Sequence, residues 1–187
     1  MTGSPAPSLW TIGHSTRPID ELIGLLQTHG IQLLIDVRTV PRSRYNPQFN
    51  TEALAKSLGS ATISYRHAAG LGGLRKPKRD SINTSWRNKS FRGYADYMQT
   101  EEFWQALNQL MADSRSQLTA IMCAEAVPWR CHRSLIADAL VSRGWEVRHI
   151  MSGTKADRHQ LTSFARVERE YITYPNPGDE QTPGLFE

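Results

Sequence analysis

The chain has 187 residues, of which 39% are hydrophobic, 21% charged and 9% aromatic, a globular profile with enough length to bury a core. Its 13 Gly and 10 Pro are too few for a collagen-like or low-complexity chain, and two cysteines cannot build a disulfide scaffold. The formal charge of +4 is uneven: the span 38–92 holds twelve Lys or Arg against two acids while the remainder is net acidic, so the positive excess belongs to one anion-facing region.

Residues 1–8 (MTGSPAPS) read as a disordered lead-in. They lack a basic segment followed by an apolar one, and no apolar run approaches the roughly 18 residues of a membrane helix, so a cytoplasmic chain without membrane contact is expected. Leu9–Ile12 is a short apolar strand that ends at Gly13-His14-Ser15-Thr16. A helix follows: Ser15 or Thr16 can cap it, Pro18 suits its first turn, Asp20 and Glu21 suit the positive end of its dipole, and Gly30 can stop it. Ile31–Val37 is a nearly continuous apolar run, as in a parallel strand buried on both faces. A short helix over 51–58 and a strand over 62–66 come next. The stretch 70–92 has glycines and basic residues without apolar period and reads as a long loop that orders on binding.

Residues 91–98 look helical, and Thr100 starts a further helix with Phe103, Leu107, Leu110 and Met111 on one face. Leu118–Cys123 is another buried strand, Arg133–Arg143 a helix, and Trp145–Ile150 a last strand. A polar helical segment is expected over 160–171, and 175–187 is a flexible tail rich in Pro and Gly. The alternation predicts a single α/β domain over 9–174, a Rossmann-like three-layer sandwich with a mostly parallel sheet of about five strands.

In such sheets the binding crevice lies beyond the carboxyl ends of the strands. The residues there form a polar set. His14 and Ser15 follow the first strand; Asp36, Arg38, Arg42, Ser43 and Arg44 the second; His67 the third; Cys123, Glu125, Arg130, Cys131, His132 and Arg133 the fourth; His149 and Ser152 sit at the last. Strand ends are polar in any case because loops are wet. Cys131 precedes a helix beside Arg and His, a setting that activates a thiol as nucleophile, while the same helix end with Arg130 and Arg133 suits an anion. Neither cysteine has the Cys-x5-Arg spacing of a phosphatase loop, and Cys123 reads as a packing thiol. No C-x2-C or H-x3-H spacing is present and adjacent Cys131 and His132 rarely ligate one ion, so no metal or cofactor is expected.

Asp36 and Glu125, with His14 and His132, are acid/base candidates, the alternative being salt bridges to Arg38 and Arg133. Gly72 and Gly73 fit neither a Rossmann fingerprint nor a Walker loop. Arg75, Lys76, Lys78 and Arg79 follow them, and Trp86, Phe91 and Tyr94 interleave with Arg87, Lys89 and Arg92, as in phosphate contacts plus base stacking.

Several blocks in order, namely Trp10-Thr-Ile-Gly-His14-Ser15, Asp36-Val-Arg38 with Pro41-Arg42-Ser43, Leu71-Gly-Gly73, Phe91-Arg-Gly-Tyr94, Cys123-Ala-Glu125 and Cys131-His-Arg133, resemble the DUF488 family, a domain of unknown function. The resemblance covers roughly Leu9 to Ile150 and implies a compact α/β domain with a shared polar site, without a reaction. Outside it, Gln181, Leu185 and Phe186 resemble the short peptides by which bacterial repair and replication proteins engage the sliding clamp. The leading expectation is an enzyme acting on nucleic acid or a nucleotide, in DNA repair, with DNA or RNA as partner. The alternatives are a cysteine-dependent transferase or hydrolase on a small phosphorylated or sulfur-bearing metabolite, and a non-catalytic nucleic-acid adaptor.

Overall fold

The computed structural model describes residues 6–180; the expectations placed on 1–5 and on Gln181, Leu185 and Phe186 fall outside that range. In chain order the elements are β1 (Ser8–Gly13), α1 (Ile19–Thr28), β2 (Leu33–Asp36), α2 (Thr51–Ser60), β3 (Ser64–His67), α3 (Lys89–Tyr97), α4 (Glu101–Ser116), β4 (Thr119–Cys123), α5 (Arg133–Val141), β5 (Glu146–Ile150), β6 (Ala156–Arg158), β7 (Arg166–Glu168) and β8 (Tyr171–Thr173). The sheet order is β3-β2-β4-β1-β5-β6. Its first five strands are parallel, and β6 returns antiparallel along β5.

Side-chain alternation assigns the two faces. Leu33 and Ile35 of β2, Ile121 and Cys123 of β4, and Val147 of β5 pack with Tyr94, Phe103, Leu107 and Leu135 of α3–α5. Leu34, Ala120, Met122 and Ile150 pack instead with Leu22, Leu26, Leu54 and Leu58 of α1 and α2. The three layers follow from chain direction. The chain moves one way along the sheet from β1 to β3 and reverses from β3 through β4, so right-handed crossovers place α1 and α2 on one face and α3–α5 on the other. That reversal leaves a crevice beyond the ends of β1, β2 and β4.

Several details differ from the sequence reading. Ser8 lies inside β1, and the Pro7 carbonyl accepts from Glu146 N–H, so the ordered domain starts before residue 9. Pro18, not Ser15 or Thr16, is the N-cap of α1, and no side chain caps it. The sheet has six strands because the polar segment Ala156–Arg158 pairs with β5. The 160–171 segment is not helical: it runs as loop into the β7–β8 hairpin, whose Ile172 is buried in the core. The 70–92 stretch is held by polar contacts to the rest of the chain. Buried Asp96 accepts from Lys78 N–H, the Ser81 hydroxyl and Asn83 Nδ2, while Asn83 Oδ1 accepts from Tyr174 N–H. Polar anchors of this kind leave no apolar period to read.

Candidate functional site

The loops after β1 and β4 are zipped together: His14 N–H donates to Cys123 O and Ser15 N–H to Ala124 O. Gly13 is required for this approach, since a Cβ there would lie 1.9 Å from the Glu125 carbonyl oxygen. Ser15 adopts the left-handed φ of 49°, uncommon for a non-glycine residue. Between these loops and the 38–46 and 73–74 segments opens a cleft of about 720 Å³, within the size range of small-molecule sites.

Of the expected site residues, the cleft brings together His14, Ser15, Arg38, Arg42, Ser43, Gly73, Glu125, Arg130, Cys131 and His132. Asp36, Arg44, His67, Gly72, Arg75, Lys76, Arg92, Tyr94 and Arg133 do not line it. Their partners give the reason. Asp36 is fully buried and spends both oxygens on Arg38 Nε and Nη2, the Arg38 N–H and the Tyr65 hydroxyl. Burial and the Asp36 carboxylate push the Tyr65 phenol up to about 12. His67 Nε2 donates to Arg38 O. Arg75 lies 3.6 Å over the Tyr97 ring, Arg92 donates to the carbonyls of Trp86 and Thr84, and the Tyr94 hydroxyl donates to Leu71 O. Of the aromatics expected to stack on bases, Trp86 packs on Phe91, Phe164 and Tyr174, Tyr94 is buried, and Phe91 lines the cleft. Arg44 and Lys76 are exposed outside the cleft.

Arg38 is clamped by Asp36 and the Phe49 carbonyl, and its Nη1 reaches His14 Nε2 at 3.3 Å. A guanidinium only donates, so Nε2 of His14 accepts and its Nδ1–H donates to Ser15 O at 2.8 Å. Burial lowers the His14 pKa to about 4, keeping the ring neutral as it stacks on Phe49.

The floor is sulfur and imidazole. Cys123 ends β4 and Cys131 immediately precedes the turn into α5; both are buried. His132 Nε2 donates to Val37 O at 3.0 Å, which leaves Nδ1 facing Cys131 Sγ at 3.7 Å and Cys123 Sγ at 4.0 Å. The sequence reading took Cys123 as a packing thiol because its partners are eight and nine residues away, joined only by the strand-to-helix turn. Interaction with the Cys123 thiol holds Cys131 well below the ordinary thiol range, helped by His132 and Arg133. The same interaction, with burial, pushes Cys123 up.

Arg133 is 1% exposed and has no carboxylate partner within ion-pair distance among the described residues. It donates to Cys131 Sγ at 3.3 Å, to Thr11 Oγ1 and to Glu125 O. Its polar partners are thus a sulfur and two oxygens rather than a carboxylate. Behind Arg133 a hydrogen-bonded chain runs in one direction: Thr11 Oγ1 donates to His149 Nδ1 (2.8 Å), His149 Nε2 to His159 Nδ1 (2.9 Å), and His159 Nε2 to Asp138 Oδ1 (2.9 Å). Burial, with His159 and Arg133 nearby, lowers the His149 pKa to about 3. Thr11, Asp138 and His159 were missed from sequence. The available signal was Asp138, an acid in the middle of the otherwise apolar run Leu135–Leu140 of α5.

A family model described as "Domain of unknown function DUF488" matches residues 18–140. The chain belongs to the DUF488 family. The match runs from α1 into α5 and therefore covers the Arg38 clamp, the glycine turn at Gly73 and the Cys123–Arg133 loop. His14 and Ser15 precede it, and the His149–His159 pair follows it. No curated protein and no solved structure matches this DUF488 chain. Among the described residues, no helix is long and apolar enough to cross a membrane.

Proposed function

We propose that the cleft is the active site of an enzyme acting on a small phosphate-bearing substrate of nucleotide size. One observation carries this reading: Arg42 and Arg130 both line the cleft and are exposed, without a side-chain partner among the described residues. Two uncommitted guanidiniums at the mouth of a concave site suit bidentate capture of an anion. Below them lie the groups that could do chemistry, Cys131 and His132, with Glu125 on the wall. Glu125 takes the acid/base role, because the Asp36 carboxylate is consumed in holding Arg38. His14 is a positioning residue, both ring nitrogens being engaged.

The test is calorimetric titration of the full chain with inorganic phosphate and with a panel of nucleoside mono- and diphosphates, repeated on Arg42→Ala/Arg130→Ala. Loss of two charge-assisted contacts, each about 1.5–3 kcal/mol, is expected to weaken binding at least tenfold. No binding by any panel member, or equal binding by the variant, overturns the reading.

A second reading, a nucleic-acid substrate, is favoured by exposed Lys76, Lys78, Arg79, Arg87 and Lys89, close in sequence to cleft residues Leu74 and Ser90. It requires binding of single-stranded or duplex DNA or RNA that falls steeply with salt and is lost when those five residues become alanine. The clamp-binding and DNA-repair reading of Gln181, Leu185 and Phe186 is tested apart, by deleting 181–187 and measuring capture of a purified sliding clamp.

A further inference from the structure

Cys123 Sγ, Cys131 Sγ and His132 Nδ1 lie within 4.8 Å of one another, with His132 Nδ1 at 4.0 and 3.7 Å from the two sulfurs. A tetrahedral zinc ion with ordinary bond lengths sets its sulfur and nitrogen ligands about 3.6 Å apart and its two sulfurs about 3.8 Å apart. The triad therefore stands within a few tenths of an ångström of that geometry on its sulfur–nitrogen edges.

Three further features have the character of a metal site. The outer nitrogen of His132 donates to the Val37 carbonyl, the arrangement that fixes a ligating imidazole in the correct tautomer and aims its lone pair inward. Arg133 Nε–H donates to Cys131 Sγ, which stabilises a deprotonated sulfur. Gly73 packs so closely on the ring that a Cβ there would lie 2.4 Å from Nδ1, so the imidazole is held from both sides. Cys131 and His132, though adjacent, face one point because the backbone is extended at Cys131 (φ −133°, ψ 144°) and turns helical at His132 (φ −57°, ψ −12°).

We propose that Cys123, Cys131 and His132 bind one zinc-class cation through two thiolates and one imidazole, with the fourth coordination position open to the cleft. All three residues line that cleft, and three protein ligands plus an open position distinguish a working metal from a closed structural one. Soft thiolates select zinc-class ions over magnesium or calcium. The site deepens the reading of the cleft as an anion-handling active site, since the open position would take a water or a substrate oxygen, but its geometry does not depend on that reading.

The test uses the full chain, purified with reductant and stripped with a chelator. Cobalt(II) is titrated in, and zinc affinity is measured by competition with a chromophoric chelator. One equivalent of cobalt is expected to give thiolate-to-metal charge transfer and the intense visible bands of tetrahedral coordination, unaffected by excess magnesium. Cys131→Ser and His132→Gln, checked for native circular dichroism, are expected to weaken zinc by more than about 100-fold, beyond the 10–100-fold typical of losing an outer partner. A variant-free readout stands beside these: zinc should protect both cysteines of the native chain from Ellman's reagent, and X-ray absorption should report two sulfur ligands. Absence of cobalt bands, equal thiol reactivity with and without zinc, or undiminished affinity in the variants overturns the site. Arg42→Ala/Arg130→Ala separates the two proposals. Cobalt bands without phosphate affinity in the native chain refute only the anion reading, and phosphate affinity without cobalt bands refutes only the metal site.

Discussion

Asp138 is the position where one substitution should report most on the architecture behind the cleft. It is fully buried in α5 and accepts four hydrogen bonds, from His159 Nε2, Thr162 N–H, the Thr162 hydroxyl and the Tyr174 hydroxyl, all at 2.7–2.9 Å. It thereby ties the helix behind Cys131 to the 159–162 loop and to the end of β8. In Asp138→Ala the two hydroxyls can turn to other acceptors, but the His159 and Thr162 N–H groups are fixed in direction. Two orphaned donors at about 1–3 kcal/mol each, with the small cavity left behind, make a loss of about 3–5 kcal/mol. At about 2–4 °C per kcal/mol for a chain of this size, the melting temperature should fall by roughly 10 °C. Asp138→Asn should cost only about 1–2 kcal/mol: its oxygen can stay on the two N–H donors while its amide donates to the two hydroxyls, which reverse. Urea unfolding at neutral pH with thermal melts as a cross-check measures both variants. An alanine variant within about 1 kcal/mol of the native chain, or an asparagine variant as unstable as alanine, would refute the donor accounting.

Acid should unfold this protein early. The folded pKa values of His14 and His149, about 4 and about 3 against 6.5 unfolded, mean that the unfolded chain binds more protons below pH 6.5. Their stabilisation is complete above that pH and declines as pH falls toward 4, with a slope approaching about 1.4 kcal/mol per pH unit for each ring. Urea midpoints along a pH series should show it, and His14→Gln with His149→Gln should flatten the curve; an unchanged slope sinks the assignment. Gly73→Ala is expected to drive the His132 ring off its Val37 bond, costing about 1 kcal/mol in stability and weakening the cobalt bands, whereas intact bands would show that the loop yields instead. Gly13→Ala meets a carbonyl oxygen at 1.9 Å, and since neither backbone can rotate away it should cost more than about 3 kcal/mol; a soluble variant of native stability would contradict the close packing of the two loops.

What sequence could show here was set by how far apart the interacting groups lie. The parallel strands were legible because Leu33–Asp36 and Thr119–Cys123 are buried on both faces and need continuous apolar runs. The β7–β8 hairpin was not, because only Ile172 of its six residues is buried and three-residue strands carry no period. At the site, His14, Arg38 and Glu125 were legible from the rule that crevices form at strand ends. Their uses were not, since whether an arginine binds substrate depends on what else reaches it. Arg92 finds carbonyls of its own loop and Arg75 an aromatic face, while Arg42 has no side-chain partner among the described residues.

That difference organises the electrostatics of the cleft. Arg38 and Arg133 are 6% and 1% exposed. Asp36 and the Phe49 carbonyl hold Arg38, with Nη1 on His14; the Cys131 sulfur, Thr11 and the Glu125 carbonyl hold Arg133. They cannot swing out to meet a ligand. Each is already oriented and held in place, so on the proposed anion reading neither would have to reorganise for a ligand to bind. Arg42 and Arg130 are the opposite case, exposed and without a side-chain partner among the described residues, and so free to close on a charged group from the rim. On the proposed reading, the fixed floor and the exposed rim would divide two tasks. Capture should depend on Arg42 and Arg130 and respond to salt, whereas the state of Cys131 should depend on Arg133 and the chain behind it and respond little, because that pair is shielded from ions in solution.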